Sequence, residues 1–216
     1  MASKTFGQRH KLRALPLIFW IDIASKLALI ALLIFAVVRD DLPQFQGKAM
    51  VGRALVYPLS TLIVPIIYYF VRRSGRRPAY PYGLDITLGL PFLIDTAGNA
   101  LNLYDTITWW DDFNHLVNWG ILSAGFGFFL LMRPVGQLAT AGLTVGFGAV
   151  TAILWEVAEY ITFVRNSPEL QTAYTDTLGD LMLGLSGSVI AGIFMGWVLW
   201  PRRHQESSRR FAEAAL

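Results

Sequence analysis

The sequence predicts an all-α polytopic membrane bundle of about six transmembrane helices, with both termini in the cytoplasm. Three observations predict it. Of the 216 residues, 54% belong to the apolar set and 15% are charged, against about 25% charged in a soluble domain. Six apolar stretches are long enough, at about 1.5 Å rise per residue, to cross a hydrocarbon core about 30 Å thick. The 18 Lys and Arg sit in clusters beside those stretches, so the basic character reads as membrane orientation and not as a nucleic-acid surface. This composition excludes a disordered or fibrous protein. The lack of cysteine excludes disulfide scaffolds, thiolate metal sites, redox CxxC chemistry and a cysteine nucleophile.

The stretches fall near 15–38, 54–71, 84–103, 113–132, 138–164 and 178–200. The first holds Asp22 and Lys26, one helical turn apart and able to neutralise one another. It exceeds a signal-peptide apolar region of about 7–15 residues and no small-residue cleavage site follows, so it should stay in the mature protein. The second is short and contains Pro58 and Pro65, which kink a helix or mark a re-entrant piece. Asp95, Asn99 and Asn102 share one face of the third. Asp111, Asn114, His115 and Asn118 stand at i, i+3, i+4 and i+7 on one face of the fourth. On the fifth, Glu156 continues a face of Gly142, Gly146, Ala149 and Ile153, whose small residues should turn it into the bundle. On the sixth, Asp176, Asp180, Gly184, Ser188, Gly192 and Gly196 recur along one ridge. The chain divides into a cytoplasmic segment 1–14, one transmembrane domain 15–200 and a basic cytoplasmic tail 201–216. No repeat of 20–50 residues is visible.

Thirteen Lys and Arg precede the first stretch, lie between the second and third or the fourth and fifth, or follow the sixth, against four in the alternate segments. The positive-inside rule then places both termini and the larger set in the cytoplasm. Eight acids, Asp105, Asp111, Asp112, Glu156, Glu159, Glu169, Asp176 and Asp180, fall toward the outer ends of helices three to six, with Arg165 the sole base among them on this drawing. Such a cation-poor acidic pocket calls for a metal ion, protons or a basic group.

Single residues here also fit plainer roles. Asp111 stands three residues after Thr108, and Asp180 three after Thr177, as in a capping box. His115 fits a hydrogen-bonded packing position, and the glycine ridges fit close helix contact. Glu156 and Glu159 fit a plain role least. With helix five ending near Val164, Glu156 lies about 12 Å below that end. A carboxylate at such depth costs about 2.5–3.5 kcal/mol unless protonated or paired. A second carboxylate one turn away means that the two share a proton or hold a cation.

The run Asp111-Asp112-Phe113-Asn114-His115, then Glu156-Val157-Ala158-Glu159, then Tyr174-Thr175-Asp176-Thr177-Leu178-Gly179-Asp180 resembles the YjdF-like bacterial inner-membrane family, and is more distantly similar to VanZ-like proteins. The likeness covers about residues 84–196. It implies that Asp111, His115, Glu156, Glu159, Asp176 and Asp180 are signature positions in a bacterial cytoplasmic membrane protein, and it implies no established activity. The family's Lys position is Asp112 here, which removes a built-in cation.

Three functions compete. In the first, Asp111, His115, Glu156, Glu159 and Asp180 ligate a divalent metal, with Asn99, Asn102, Asn118 and Asp176 fixing the ligands from behind. Four oxygens and one imidazole suit manganese, iron, zinc or magnesium. Glu156 and Glu159 are then the catalytic candidates of a hydrolase or transferase acting on a lipid-linked or envelope substrate. No GxSxG nucleophile motif and no phosphate-cradling glycine loop is present. In the second, Asp95 and the Glu pair relay protons or a cation through a transporter, where a homodimer could supply symmetry. In the third, the polar cluster is structural. Membrane lipid is an expected partner in every case, and a cationic small molecule suits the acidic pocket.

Overall fold

The computed structural model describes residues 16–203 and 205; the segment 1–14 and most of the basic tail lie outside them. Every regular element among these residues is helical. Helix α1 is Leu17–Val38, α2 Met50–Arg73, α3 Tyr82–Ala100, α4 the single turn Leu103–Thr106, α5 Trp110–Leu131, α6 Gln137–Glu159 and α7 Ala173–Ile193. Helix α6 continues into a π-helical turn at Tyr160–Val164, and α7 into another at Phe194–Leu199.

Helix α2 corrects the reading of a short second span. It runs for 24 residues with Pro58 and Pro65 inside it. Each proline removes one amide donor, and hydroxyls bond the carbonyls nearby: Thr61 Oγ1 donates to Pro58 O at 2.8 Å and Ser60 Oγ to Val56 O at 3.2 Å. The helix stops at Gly75, whose φ of +85° is the left-handed conformation that ends helices. Its amide donates to Arg72 O.

Four helices are long and apolar enough to cross a membrane: Leu17–Val38, Met50–Arg73, Gln137–Thr162 and Ala173–Arg203. Helices α3 and α5, with 19 and 22 residues, have comparable length but carry the acids and amides singled out above. Their packing explains how they do so. Helix α5 packs most extensively on α7 and also on α3 and α6, while α3 packs on α1, α2 and α5. The two polar helices thus hold the middle, and apolar ones surround them.

The interior is small and polar, the exterior large and apolar. Thr96, Ser123, Thr140, Thr144 and Ser188 are fully buried, whereas Leu59, Val150, Val157 and Ile190 lie more than half exposed. That inversion suits lipid, where close helix approach and interhelical hydrogen bonds replace the hydrophobic drive. Ser123 Oγ donates to Ser188 Oγ across α5 and α7 at 3.0 Å. A Cβ on Gly148 would collide with both hydroxyls. The face of α6 that packs inward is Ala141, Thr144, Gly148, Ala152 and Glu156. Gly142, Gly146 and Ile153, expected to face inward, are exposed instead, because the true stripe begins one residue earlier. On the α7 ridge Asp180, Gly184, Ser188, Gly192 and Gly196 are buried, whereas Asp176, its first member, is exposed.

Candidate metal centre and cavity

The start of α5 carries Asp111, Asn114, His115 and Asn118 on one face, and α6 and α7 bring their acids to it. His115 Nδ1 lies 2.6 Å from Asp180 Oδ1, and His115 Nε2 lies 3.7 Å from Glu156 Oε1. All three side chains are buried. Ligand atoms of Asp111, His115 and Asp180 lie within 4.8 Å of one another, and so do those of His115, Glu156 and Glu159. The imidazole therefore stands between two carboxylates, Asp180 at Nδ1 and Glu156 at Nε2, with Asp111 and Glu159 close by. The π-helical turn begins at Tyr160, directly after Glu159, and Arg165 N reaches Tyr160 O at 3.0 Å. Single π turns in helices recur at functional sites.

Neither capping box forms. Helix α5 follows Trp109 and α7 follows Thr172, with no side-chain cap bond at either. Helix α7 starts before Thr177, so Asp180 sits two turns inside it.

A cavity of about 410 Å³ opens beside this cluster, between α2 and α3 on one side and α5 and α6 on the other. Asp111, His115, Asn118 and Glu159 line the near wall. The far wall carries two bases, Lys48 and Arg53, which corrects the expectation of a cation-poor pocket. Arg53 pairs with Asp95 through its guanidinium and donates from Nε to Lys48 O at 3.1 Å. Asp95 also accepts the Tyr57 and Tyr104 hydroxyls, each at 2.8 Å, and the Asn99 amide at 3.4 Å. Burial, and next the charge on Asp95, hold the Tyr104 hydroxyl above its ordinary pKa, so it stays a donor. Lys48 Nζ bonds Asp105 at 2.9 and 3.0 Å.

The other sequence candidates are placed as follows. Asn99 and Asn118 line the cavity; Asn99 bonds Asp95, and Asn118 Nδ2 bonds Asn114 Oδ1 at 2.9 Å. Asn102 ends α3 with a left-handed backbone, φ +57°, and is not in the cavity wall. Asp112 and Asp176 are exposed. Arg165 is exposed and outside the wall. The Arg53 and Asp95 network was missed from sequence, although Arg53, Tyr57 and Thr61 stand at i, i+4 and i+8, a visible polar face that Pro58 obscured.

Comparison with family models agrees with this architecture. A model described as predicted membrane protein (DUF2238) matches residues 21–201. The chain belongs to the DUF2238 family. This match spans all seven helices but the first four residues of α1, and it accords with the YjdF-like likeness of the signature runs. No curated protein and no solved structure matches the chain. Membership thus gives a membrane protein with several apolar helices, and the buried Asp, His and Glu cluster gives this DUF2238 chain a group that could hold a metal ion.

Proposed function

We propose that this protein is a metal-dependent hydrolase or transferase of the bacterial cytoplasmic membrane that acts on an anionic, lipid-linked substrate. The observation that carries the reading is one buried imidazole whose Nδ1 lies 2.6 Å from Asp180 Oδ1 and whose Nε2 lies 3.7 Å from Glu156 Oε1, with Glu159 close by in the wall of a cavity. A carboxylate behind a histidine sets its tautomer and raises its basicity as a ligand. Asp180 therefore orients His115, and His115 Nε2, Glu156 and Glu159 hold the ion, with Asp111 completing the set from the first turn of α5. Oxygen-rich ligation of this kind suits manganese, iron, zinc or magnesium. Such an ion, when bound, polarises a phosphoryl or ester oxygen.

The residues around it divide the remaining work. Glu159 lines the cavity and, through the carboxylate oxygen that does not hold the ion, takes a proton from the attacking hydroxyl group. Across the cavity, Arg53 has guanidinium donors beyond those spent on Asp95 and Lys48 O, and these face an anionic group on the substrate. Val56, Phe92, Leu122 and Trp155 give the wall its apolar part, which accepts the first carbons of a lipid chain. The reading adopts six spans, α1, α2, α3, α5, α6 and α7, with both termini inside and the cavity toward the outer face, supported by the distribution of Lys and Arg.

The test is turnover in mixed micelles by the metal-loaded protein, using phosphate-bearing lipids as substrates. Chelator-sensitive hydrolysis or transfer that Glu159→Gln abolishes is expected. Turnover that ignores the chelator, or survives in Glu159→Gln, contradicts the proposal.

A further inference from the structure

A second buried charged cluster lies at the opposite end of α3. Asp22 of α1 and Asp85 of α3 are 3% and 0% exposed. Lys26 Nζ stands 3.0 Å from Asp22 Oδ2 and 2.6 Å from Asp85 Oδ2, so it serves two carboxylates and not Asp22 alone. The Tyr80 hydroxyl, from the connection between α2 and α3, also donates to Asp85 Oδ2. Burial, followed by that carboxylate, holds Tyr80 above its ordinary pKa and keeps it a donor.

The count of charges does not close. Two carboxylates and one ammonium leave an excess negative charge on two acids that are almost wholly buried, a costly arrangement inside a membrane. The nearby hydroxyls do not supply the missing donor: Ser25 Oγ bonds Asp22 O at 2.8 Å and Thr61 Oγ1 bonds Pro58 O at 2.8 Å. Asp22 Oδ1 and Asp85 Oδ1 are each buried without a hydrogen-bond partner. The space that these residues enclose has no room for a water-sized sphere, so a bridging water does not fit.

We infer that Asp22 and Asp85 form a proton-binding pair, sharing one proton between their carboxylates beside the ammonium of Lys26. The proton removes the excess charge, and it converts one carboxylate oxygen into an O–H donor, which is what the orphaned oxygens lack. It needs no volume, unlike a sodium ion, which would require more oxygen ligands than two free ones. The groups facing the pair are Lys26 from α1 and Tyr80 from the preceding connection; α2 contributes Thr61, which is neutral. The site is separate from the cavity. Asp85 and Asp95 are ten residues apart on α3, about 15 Å, and Leu29, Leu33, Tyr57 and Phe92 pack together between the two regions. Its occupancy sets the charge at the α1 and α3 interface at the end where both helices begin.

The experiment is infrared difference spectroscopy on the full-length, detergent-solubilised protein at neutral pH. A protonated carboxyl C=O band is expected that shifts in deuterium oxide and is lost in both Asp22→Asn and Asp85→Asn, because either change leaves a single carboxylate matched by Lys26. Both variants should fold, with thermal midpoints within a few degrees of wild type, since the amide supplies the donor. A band unchanged in both variants overturns the inference. If a variant does not fold, the wild type labelled with carboxyl carbon-13 aspartate decides: the band must shift on labelling, and a spectrum without any protonated aspartate overturns the pair. Comparing thermal midpoints in sodium chloride and choline chloride separates the remaining case, because stabilisation by sodium that Asp22→Asn removes would assign the site to a metal cation instead.

Discussion

His115 of α5 and Asp180 of α7 approach to 2.6 Å at Nδ1 and Oδ1, while the other nitrogen of the same ring faces Glu156 of α6 at 3.7 Å. The imidazole thereby ties three helices at one point. Asp180→Asn keeps the shape of that contact and removes the negative charge that makes Nε2 a good ligand. Metal affinity should fall about 10–100-fold, measured by competition with a chromophoric chelator. Unchanged affinity would show that Asp180 does not act through the ring.

Close packing of α5 on α7 brings the cluster together, and glycine permits it. A Cβ on Gly187 would strike Leu116 O and lie 2.9 Å from Gly120 N, both backbone atoms, whereas one on Gly146 meets nothing within 4 Å. Gly187→Ala should therefore destabilise by about 1–3 kcal/mol. Gly146→Ala should be neutral or stabilising by up to about 1 kcal/mol, from helix propensity alone. Thermal unfolding in detergent distinguishes the two, and equal effects would contradict this packing.

Much of this was legible in the sequence. Helix α5 places Asn114 and His115 inward as its i, i+3, i+4 pattern requires, although Asp111 at its start is exposed, and from Asp180 onward the four-residue ridge of α7 is buried, its glycine and serine positions meeting both α5 and α6. The face of α6 was misread, since Gly142 and Gly146 resemble packing residues but look outward while Thr144 and Gly148 are buried. In α6 small residues occur on both sides, so size alone does not fix the orientation. The Lys26 link to Asp85 and the Arg53 link to Asp95 span 59 and 42 residues. No local spacing encodes such pairs, and proximity to Asp22 made Lys26 look already satisfied.

Arg53 and Asp95 are largely buried, with side chains 15% and 14% exposed. Removing one member leaves the other without its counter-charge, so Arg53→Met should cost about 3–5 kcal/mol. The double variant Arg53→Met with Asp95→Leu should regain part of that loss, because the unpaired charge disappears. Chemical denaturation in detergent measures both, and a cost below about 1 kcal/mol for Arg53→Met would show a solvent-screened pair.

The six-span layout is checked by reporter fusions. A fusion after residue 78 should behave as cytoplasmic and one after residue 107 as external, following the positive-inside distribution. The reverse pattern would move the cavity to the cytoplasmic face and remove an envelope substrate from consideration.

Elemental analysis of the purified full-length protein decides whether His115, Glu156 and Glu159 hold a divalent ion. About one manganese, iron, zinc or magnesium ion per chain is expected after exhaustive dialysis, reduced at least tenfold in His115→Ala and in Glu156→Gln. Removing the ion by chelation should also lower the thermal midpoint of the wild type, since a ligand bound only to the folded state stabilises it. Retention of no ion by the wild type, or equal metal content in all three proteins with Glu156→Gln the most stable of them, would contradict metal binding at these residues and leave the cluster a structural one.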